Sequence, residues 1–402
     1  MRWTSLAALG LAVAAGAALV SHRAPAPVRV AIRVDCSNAA RCALAESRSV
    51  DVWSEQRGPK LPLDLVVPSD ALPDLRAAGV AWQVLVPDID AVAAAEAARL
   101  RSPAAHTADW FAEYHDYPAI TAHLQALVAF APDRVALQVI GNSLENRPLW
   151  ALRIGGTAPD AIPMLIDGTL HAREWIAAAV TTCVADRLVR DYDKDPAIRV
   201  FVDHTQLWVV PVANPDGYQY SWSTDRYWRK NRRGQFGVDL NRNFAVAFGG
   251  TGSSRNERAE TYRGAYAFSE PESGALRDLA KRERVTLHVD FHSYGQIVLY
   301  PWAYTDAPPK DRARLAALGD RVTSAMFAAH QTPYRLASGV DFYPASGTMT
   351  DWMYGEAGAL SYTIELRPRW PGGLKGFVLP PDQIRPTCDE GLAAVLALRA
   401  IK

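Results

Sequence analysis

The sequence predicts an α/β protein with a mixed, mostly parallel central sheet and helices on both faces, preceded by a small α+β unit. Three observations carry that reading. Continuous apolar runs such as Ile162–Leu170 and Thr205–Pro215 alternate with amphipathic stretches, the pattern of strands buried on both faces. Residues 29–100 carry their own strands and helices and end in a linker-like segment, Arg99–His106, with two basic residues, a Pro and small side chains. The 402 residues are 49% hydrophobic, ample for a core, which excludes wholesale disorder. The 43 Lys and Arg balance 43 Asp and Glu, so the field that a nucleic-acid binder needs is absent.

At the start, Arg2 precedes an uncharged run, Leu6–Val20. That run is short for a membrane span of about 20 residues but suits the core of a signal peptide. Residues 1–25 therefore read as a signal peptide and the protein as exported, free of the membrane once the signal is removed; an uncleaved anchor is the alternative. Strands VRVAIRV, SVDVWSE and PLDLVVP follow. Next comes helix SDALPDLRAAG, with Ser69 and Asp70 as caps and Gly79 as its stop. Strand VAWQVLV and the Ala-rich helix DIDAVAAAEAARLRS complete the small unit. From Trp110 the reading is helix Thr121–Ala131, strands VALQVIG and LWALRIG, strand Ile162–Leu170 and helix Glu174–Tyr192. Strand Thr205–Pro215 leads into a polar region, Asn214–Arg263, with few regular signals. Helix Ser269–Val285, strand Thr286–Tyr294, helix Arg312–His330, strand Ser361–Arg367 and a closing helix end the chain. Four cysteines are too few for a disulfide framework. Cys36 and Cys42 can bridge in an oxidising compartment, while Cys183 and Cys388 read as buried thiols with pairing left open.

Ligands of open α/β sheets bind beyond the carboxyl ends of strands, and the unusual residues cluster after Leu170, Val212, Phe291 and Ile364. His171 and Glu174 are three residues apart, so imidazole and carboxylate can share a face and converge on one ion. Two such ligands with a second His make a catalytic zinc site, although a short HxxE pattern is weak alone. His288 and His292 lie about 13 Å apart along one strand at about 3.3 Å per residue, so both cannot bind one metal. His292, at the strand's end, is the third-ligand candidate; His288 reads as a buried, hydrogen-bonded residue. The stretch from Asp225 to Arg242 holds six cations and two acids, a composition suited to an anionic substrate group or a developing oxyanion. Glu365 closes an apolar strand, where an acid beside a metal-activated water makes a natural general base.

These residues sit within HAREWI, NPDGY, YWRKNRR, GVDLNRNF, FHSYGQIVLYPW, YPASGTMTDW and TIELR, in that order. Through them the chain resembles the secreted zinc carboxypeptidases of the carboxypeptidase A/B family, over about Trp110 to Lys402. The upstream stretch resembles that family's pro-segment. The resemblance implies one Zn2+ per chain, held by His171, Glu174 and His292, with Asp239 orienting His171. It implies Glu365 as general base and Arg229 as the group that stabilises the oxyanion. Asn241 and Arg242 grip the substrate's terminal carboxylate under this reading, and Tyr343 closes over it. Arg173, Ser293, Tyr294 and Phe377 match outer subsites, and Thr350 the pocket floor.

The function implied is exopeptidase action on peptide and protein carboxyl termini, by a monomer made as a precursor. Residues 27–101 would be the pro-segment, released by a trypsin-like protease after Arg99 or Arg101, and 102–402 the catalytic domain. Thr350 is neither an acid nor a branched apolar residue, so aliphatic and aromatic termini are expected, with some acceptance of Lys and Arg. Asp290, on the same strand face as His292, either adds negative character to that pocket or is neutralised by a neighbour. Rival readings are an inactive module that binds peptide termini, and another zinc hydrolase such as a cell-wall peptide amidase or a deacylase. Glu365 argues against the first; the Asn241–Arg242 pair and Tyr343 argue against the second.

Overall fold

Two sheets organise the protein, whose computed structural model describes residues 27–54, 61–102, 109–369 and 376–399. The segment read above as a signal peptide, residues 1–25, lies outside these. The small unit comprises β1 (Arg29–Val34), α1 (Ala39–Ser47), β2 (Asp51–Val52), β3 (Leu63–Pro68), α2 (Leu72–Ala77), β4 (Trp82–Val86) and α3 (Ile89–Leu100). Its antiparallel sheet has the order β2-β3-β1-β4. The large unit runs through α4 (Tyr117–Phe130), β5 (Val135–Asn142), β6 (Pro148–Gly155), β7 (Ile162–Gly168), α5 (Trp175–Arg190), α6 (Pro196–Asp203), β8 (Thr205–Val210) and α7 (Pro215–Ser223). It continues with α8 (Pro271–Arg282), β9 (Leu287–Ser293), β10 (Ile297–Tyr300), α9 (Arg312–His330), β11 (Arg335–Ser338), α10 (Gly339–Phe342), α11 (Met349–Gly355), β12 (Leu360–Leu366) and α12 (Ile384–Arg399).

The large sheet has the order β11-β10-β12-β9-β7-β8-β6-β5. Its central strands β12, β9, β7 and β8 are mutually parallel, and antiparallel pairings flank them. Alternation along β7 shows why both faces are covered. Met164 and Ile166 join the core built with α4, α5, α6, α9 and α12, whereas Leu165 joins the core under α8 and α11. The expected mixed sheet is therefore the fold.

Several expectations are corrected. Ser69 and Asp70 do not cap α2; the Ser69 hydroxyl accepts instead from the Val28 N–H, while Gly79 ends the helix at φ +70° as its type allows. Helix α1 lies where no element was read, started by Asn38, whose side chain accepts from the Arg41 N–H. Of the described part of SVDVWSE only Asp51–Val52 is strand, although the Val50 and Trp53 N–H groups also donate to β3 carbonyls. The polar region opens with α7, capped by Asn214 and with Pro215 at its first position. Cys183 and Cys388 are not thiols: they form a disulfide joining α5 to α12, and Cys36 bridges Cys42. Among the described residues no helix is long and apolar enough to cross a membrane.

Candidate metal centre and cleft

The carboxyl ends of β7, β9 and β12 meet at one place. After β7 the backbone turns through Thr169 (φ +66°), whose hydroxyl donates to the Pro211 carbonyl, and delivers His171 above the sheet. Glu174 follows one turn later, immediately before α5. His292 stands near the end of β9, in register with Glu365 on β12. All four side chains are buried.

His171 Nδ1 lies 2.8 Å from Glu174 Oε1, and His292 Nδ1 lies 3.0 Å from Glu174 Oε2 and 3.0 Å from His171 Nδ1. The Ser293 N–H donates to Glu174 Oε2 and steadies the carboxylate. On the far side of each ring a second carboxylate waits. His171 Nε2 is 3.1 Å from Asp239 Oδ1, and His292 Nε2 is 2.8 Å from Asp290 Oδ2. Those contacts require the proton on Nε2 in both rings. Both Nδ1 lone pairs and the Glu174 carboxylate then face one another, an acceptor set that calls for a cation at its centre. The donor set of two imidazoles and one carboxylate is that of a catalytic zinc site.

Charge balance says the same. Burial opposes the charge of His292, yet Asp290 and Glu174 hold its imidazole pKa well above the usual value. Burial would raise the Glu174 carboxyl, but His171 and His292 hold it far below the normal carboxylate range. Asp239 is also held well below that range against burial, by Arg229, Arg242 and His171. The pocket is rich in anionic groups that need positive charge.

Arg229 donates to Asp239 Oδ2 from Nε and Nη2, at 3.3 and 3.0 Å. Arg242 is anchored by Nε to the Gly252 carbonyl and by Nη1 to its neighbour's carbonyl, both at 2.8 Å, with Nη2 3.5 Å from the Tyr343 hydroxyl. Gly347, at φ +72°, runs so close that a Cβ there would sit 2.4 Å from the Arg242 carbonyl oxygen. Asn241 Oδ1 accepts from the Met349 N–H. Arg229, Arg242 and Tyr343 line one cavity of about 550 Å³, which Asp51, Val52 and Ser54 of the small unit also line. Thr350 Oγ1 lies 2.5 Å from Thr363 Oγ1.

Arg173, Tyr294 and Phe377 face the small unit. Arg173 Nη1 reaches both Asp51 carboxylate oxygens, at 2.9 and 2.8 Å, and Nη2 reaches the Val52 carbonyl at 3.2 Å. Its guanidinium lies 4.2 Å over the Phe377 ring. Trp53 stacks on Tyr227 and meets Phe377 edge-on, while Phe377 meets Tyr294 edge-on. Ser293 Oγ is buried without a hydrogen-bond partner among the described residues. His288 is bonded to Asp167 and Ser361, as expected of a buried His. Of the two expectations for Asp290, the structure shows the second: its carboxylate is paired with a neighbour, His292. Its i,i+2 spacing from His292 on a strand was the available signal.

The zinc carboxypeptidase family model matches residues 120–394. Carboxypeptidase A1 of Rattus norvegicus is 33% identical over 370 residues, covering 88% of this chain and 87% of the relative. Carboxypeptidase B of Bos taurus is 32% identical over 369 residues with the same coverage. Among solved structures, thrombin activatable fibrinolysis inhibitor superposes with a TM-score of 0.83 at 30% identity, covering 92% of this chain and 98% of that one. Carboxypeptidase A from Helicoverpa armigera gives 0.81 at 28% identity, covering 93% and 98%. The fold and the buried His–Glu–His cluster thus belong to a zinc peptidase. The chain is a member of the zinc carboxypeptidase A/B family, a metallocarboxypeptidase with a zinc cofactor that acts on peptide carboxyl termini.

Proposed function

We propose that this protein is a secreted precursor whose residues 102–402 form the exopeptidase, with residues 27–101 covering its cleft until removed. The observation that carries the reading is the shared cavity. The guanidiniums of Arg229 and Arg242 and the Tyr343 hydroxyl line it, and Asp239 ties both guanidiniums to the metal cluster.

Bound by His171 Nδ1, His292 Nδ1 and the Glu174 carboxylate, zinc would supply a Lewis acid that acidifies water and polarises the scissile carbonyl. The chain's own residues do the rest. Glu365 takes the proton from the attacking water and passes it to the leaving amine. Arg229 holds the oxyanion as charge develops, in a site that excludes bulk water. Arg242, with Asn241, fixes the terminal carboxylate, so that only the last peptide bond reaches the reactive position. Tyr343, beside Arg242, closes over the bound terminus. Asp239 keeps the His171 tautomer.

Aliphatic and aromatic termini are the preferred class, with some acceptance of Lys and Arg. Support comes from the uncharged Thr350–Thr363 pair and from Asp290, whose carboxylate is directed to His292. Release of the small unit fits cleavage after Arg101, which is exposed just beyond α3, better than after Arg99, which lies inside α3 and pairs with Glu113. The test of the exopeptidase reading is Arg242→Ala assayed on peptides with free and amidated carboxyl termini. The variant should keep its zinc and lose the preference for the free terminus; a wild-type preference refutes the assignment.

A further inference from the structure

The substrate reading above gives Asp290 no task, yet it is fully buried, and its Oδ1 has no hydrogen-bond partner among the described residues. Its neighbour in register on β7 is another carboxylate, Asp167, also fully buried. Asp167 is committed to His288 Nε2 at 2.8 Å, and His288 Nδ1 to Ser361 at 2.7 Å. A half-satisfied buried carboxylate next to a second one is costly unless positive charge lies close. Asp290 Oδ2 accepts its one hydrogen bond among the described residues from His292 Nε2, at 2.8 Å. Asn241 Nδ2 stands 3.3 Å from the same nitrogen, but as a donor it cannot replace the acceptor that a protonated Nε2 needs.

We propose that Asp290 is a positioning residue of the metal centre. It holds the His292 ring with Nε2 protonated and Nδ1 presented to the zinc, as Asp239 does for His171. Both imidazole ligands are then backed by carboxylates from different elements: Asp239 from the loop after α7, Asp290 from within β9. The strand makes the second arrangement rigid. Residues i and i+2 share a face about 6.6 Å apart, so no loop movement separates the carboxylate from the ring it steers. A divalent ion across the ring also supplies the positive charge that Asp290 lacks. The inference rests on His292 being a zinc ligand.

The isosteric variant Asp290→Asn tests it. Zinc affinity, measured by competition with a chelator, should fall about 10- to 100-fold. The absorption bands of the Co2+-substituted protein should shift. Asp167→Asn, which alters the row behind without touching a ligand, should keep the wild-type zinc affinity and Co2+ spectrum. Wild-type affinity and spectrum in folded Asp290→Asn would overturn the proposal. Should that variant not fold, the Co2+-substituted wild type decides by proton resonance. Two slowly exchanging, paramagnetically shifted imidazole N–H signals, from His171 and His292, support the arrangement; one signal alone overturns it. His292→Ala separates the layers. Loss of tight zinc binding there, with none in Asp290→Asn, removes only the role of Asp290, whereas retention in His292→Ala removes the ligand assignment itself.

Discussion

Replacing Asp51 with Asn deletes the charge that ties the small unit to Arg173. Arg173 is fully buried, and its guanidinium meets both Asp51 oxygens at 2.8–2.9 Å, with the Val52 carbonyl as a further acceptor. The Trp53 indole N–H also donates to Asp51 and sets Trp53 against Tyr227 and Phe377. Hydrogen bonds to charged groups contribute about 1.5–3 kcal/mol, and every 1.4 kcal/mol is about tenfold in an equilibrium. Losing one such charge pair should therefore open the covered state by roughly 10- to 100-fold. The assay is hydrolysis of a small blocked dipeptide by the uncleaved precursor. Asp51→Asn should show residual activity raised by that factor, up to the level of the matured enzyme, and cleavage by a trypsin-like protease should bring both proteins to the same rate. Unchanged latency in the folded variant, or no gain on cleavage of the wild type, refutes the idea that this unit restrains the cleft.

Glu365→Gln should lower kcat by about 10²–10⁴ with zinc content and KM little changed, because a general base acts only in the reacting complex. An equal loss of zinc would reassign Glu365 to a structural role. Asp351 is pushed up to about 7 by burial, against the Ala303 N–H that its carboxylate accepts. A raised carboxyl pKa means that the native state keeps a proton the unfolded chain has lost. Stability from this group is thus present below pH about 4 and falls as pH rises towards 7, by about 1.4 kcal/mol per pH unit. Asp351→Asn should flatten the slope of denaturant stability between pH 4.5 and 6.5 by that amount, and an unchanged slope would show that Asp351 does not titrate there. The Cys183–Cys388 bridge spans 205 residues. Chain-entropy reasoning gives it about 5 kcal/mol, so the double Ala variant should unfold at markedly lower denaturant; an unchanged midpoint would show that the bridge does not constrain the unfolded chain.

Much of the centre was legible because its signals are local. His171 and Glu174 are three residues apart, and apolar strand runs end just before the polar residues that the fold brings to one edge. Helix α7 was missed although Asn214 and Pro215 form a cap and first turn, because its polar composition hid the helical pattern. The strands β10 and β11 have four residues each, too short for periodicity to register.

The sequence by itself determined which side chains stand at strand ends, since strand alternation and caps act over a few residues and are written in their own neighbourhood. Only the tertiary structure decided which of those ends meet. His292 reaches the His171–Glu174 pair across more than a hundred residues, and Asp290 pairs with the His292 ring. Cys183 finds Cys388 at a Cα separation of 6.0 Å, and Asp51 finds Arg173. Such partners are selected by the order and spacing of strands in the sheet, a property of the whole packed chain that no short window of residues contains.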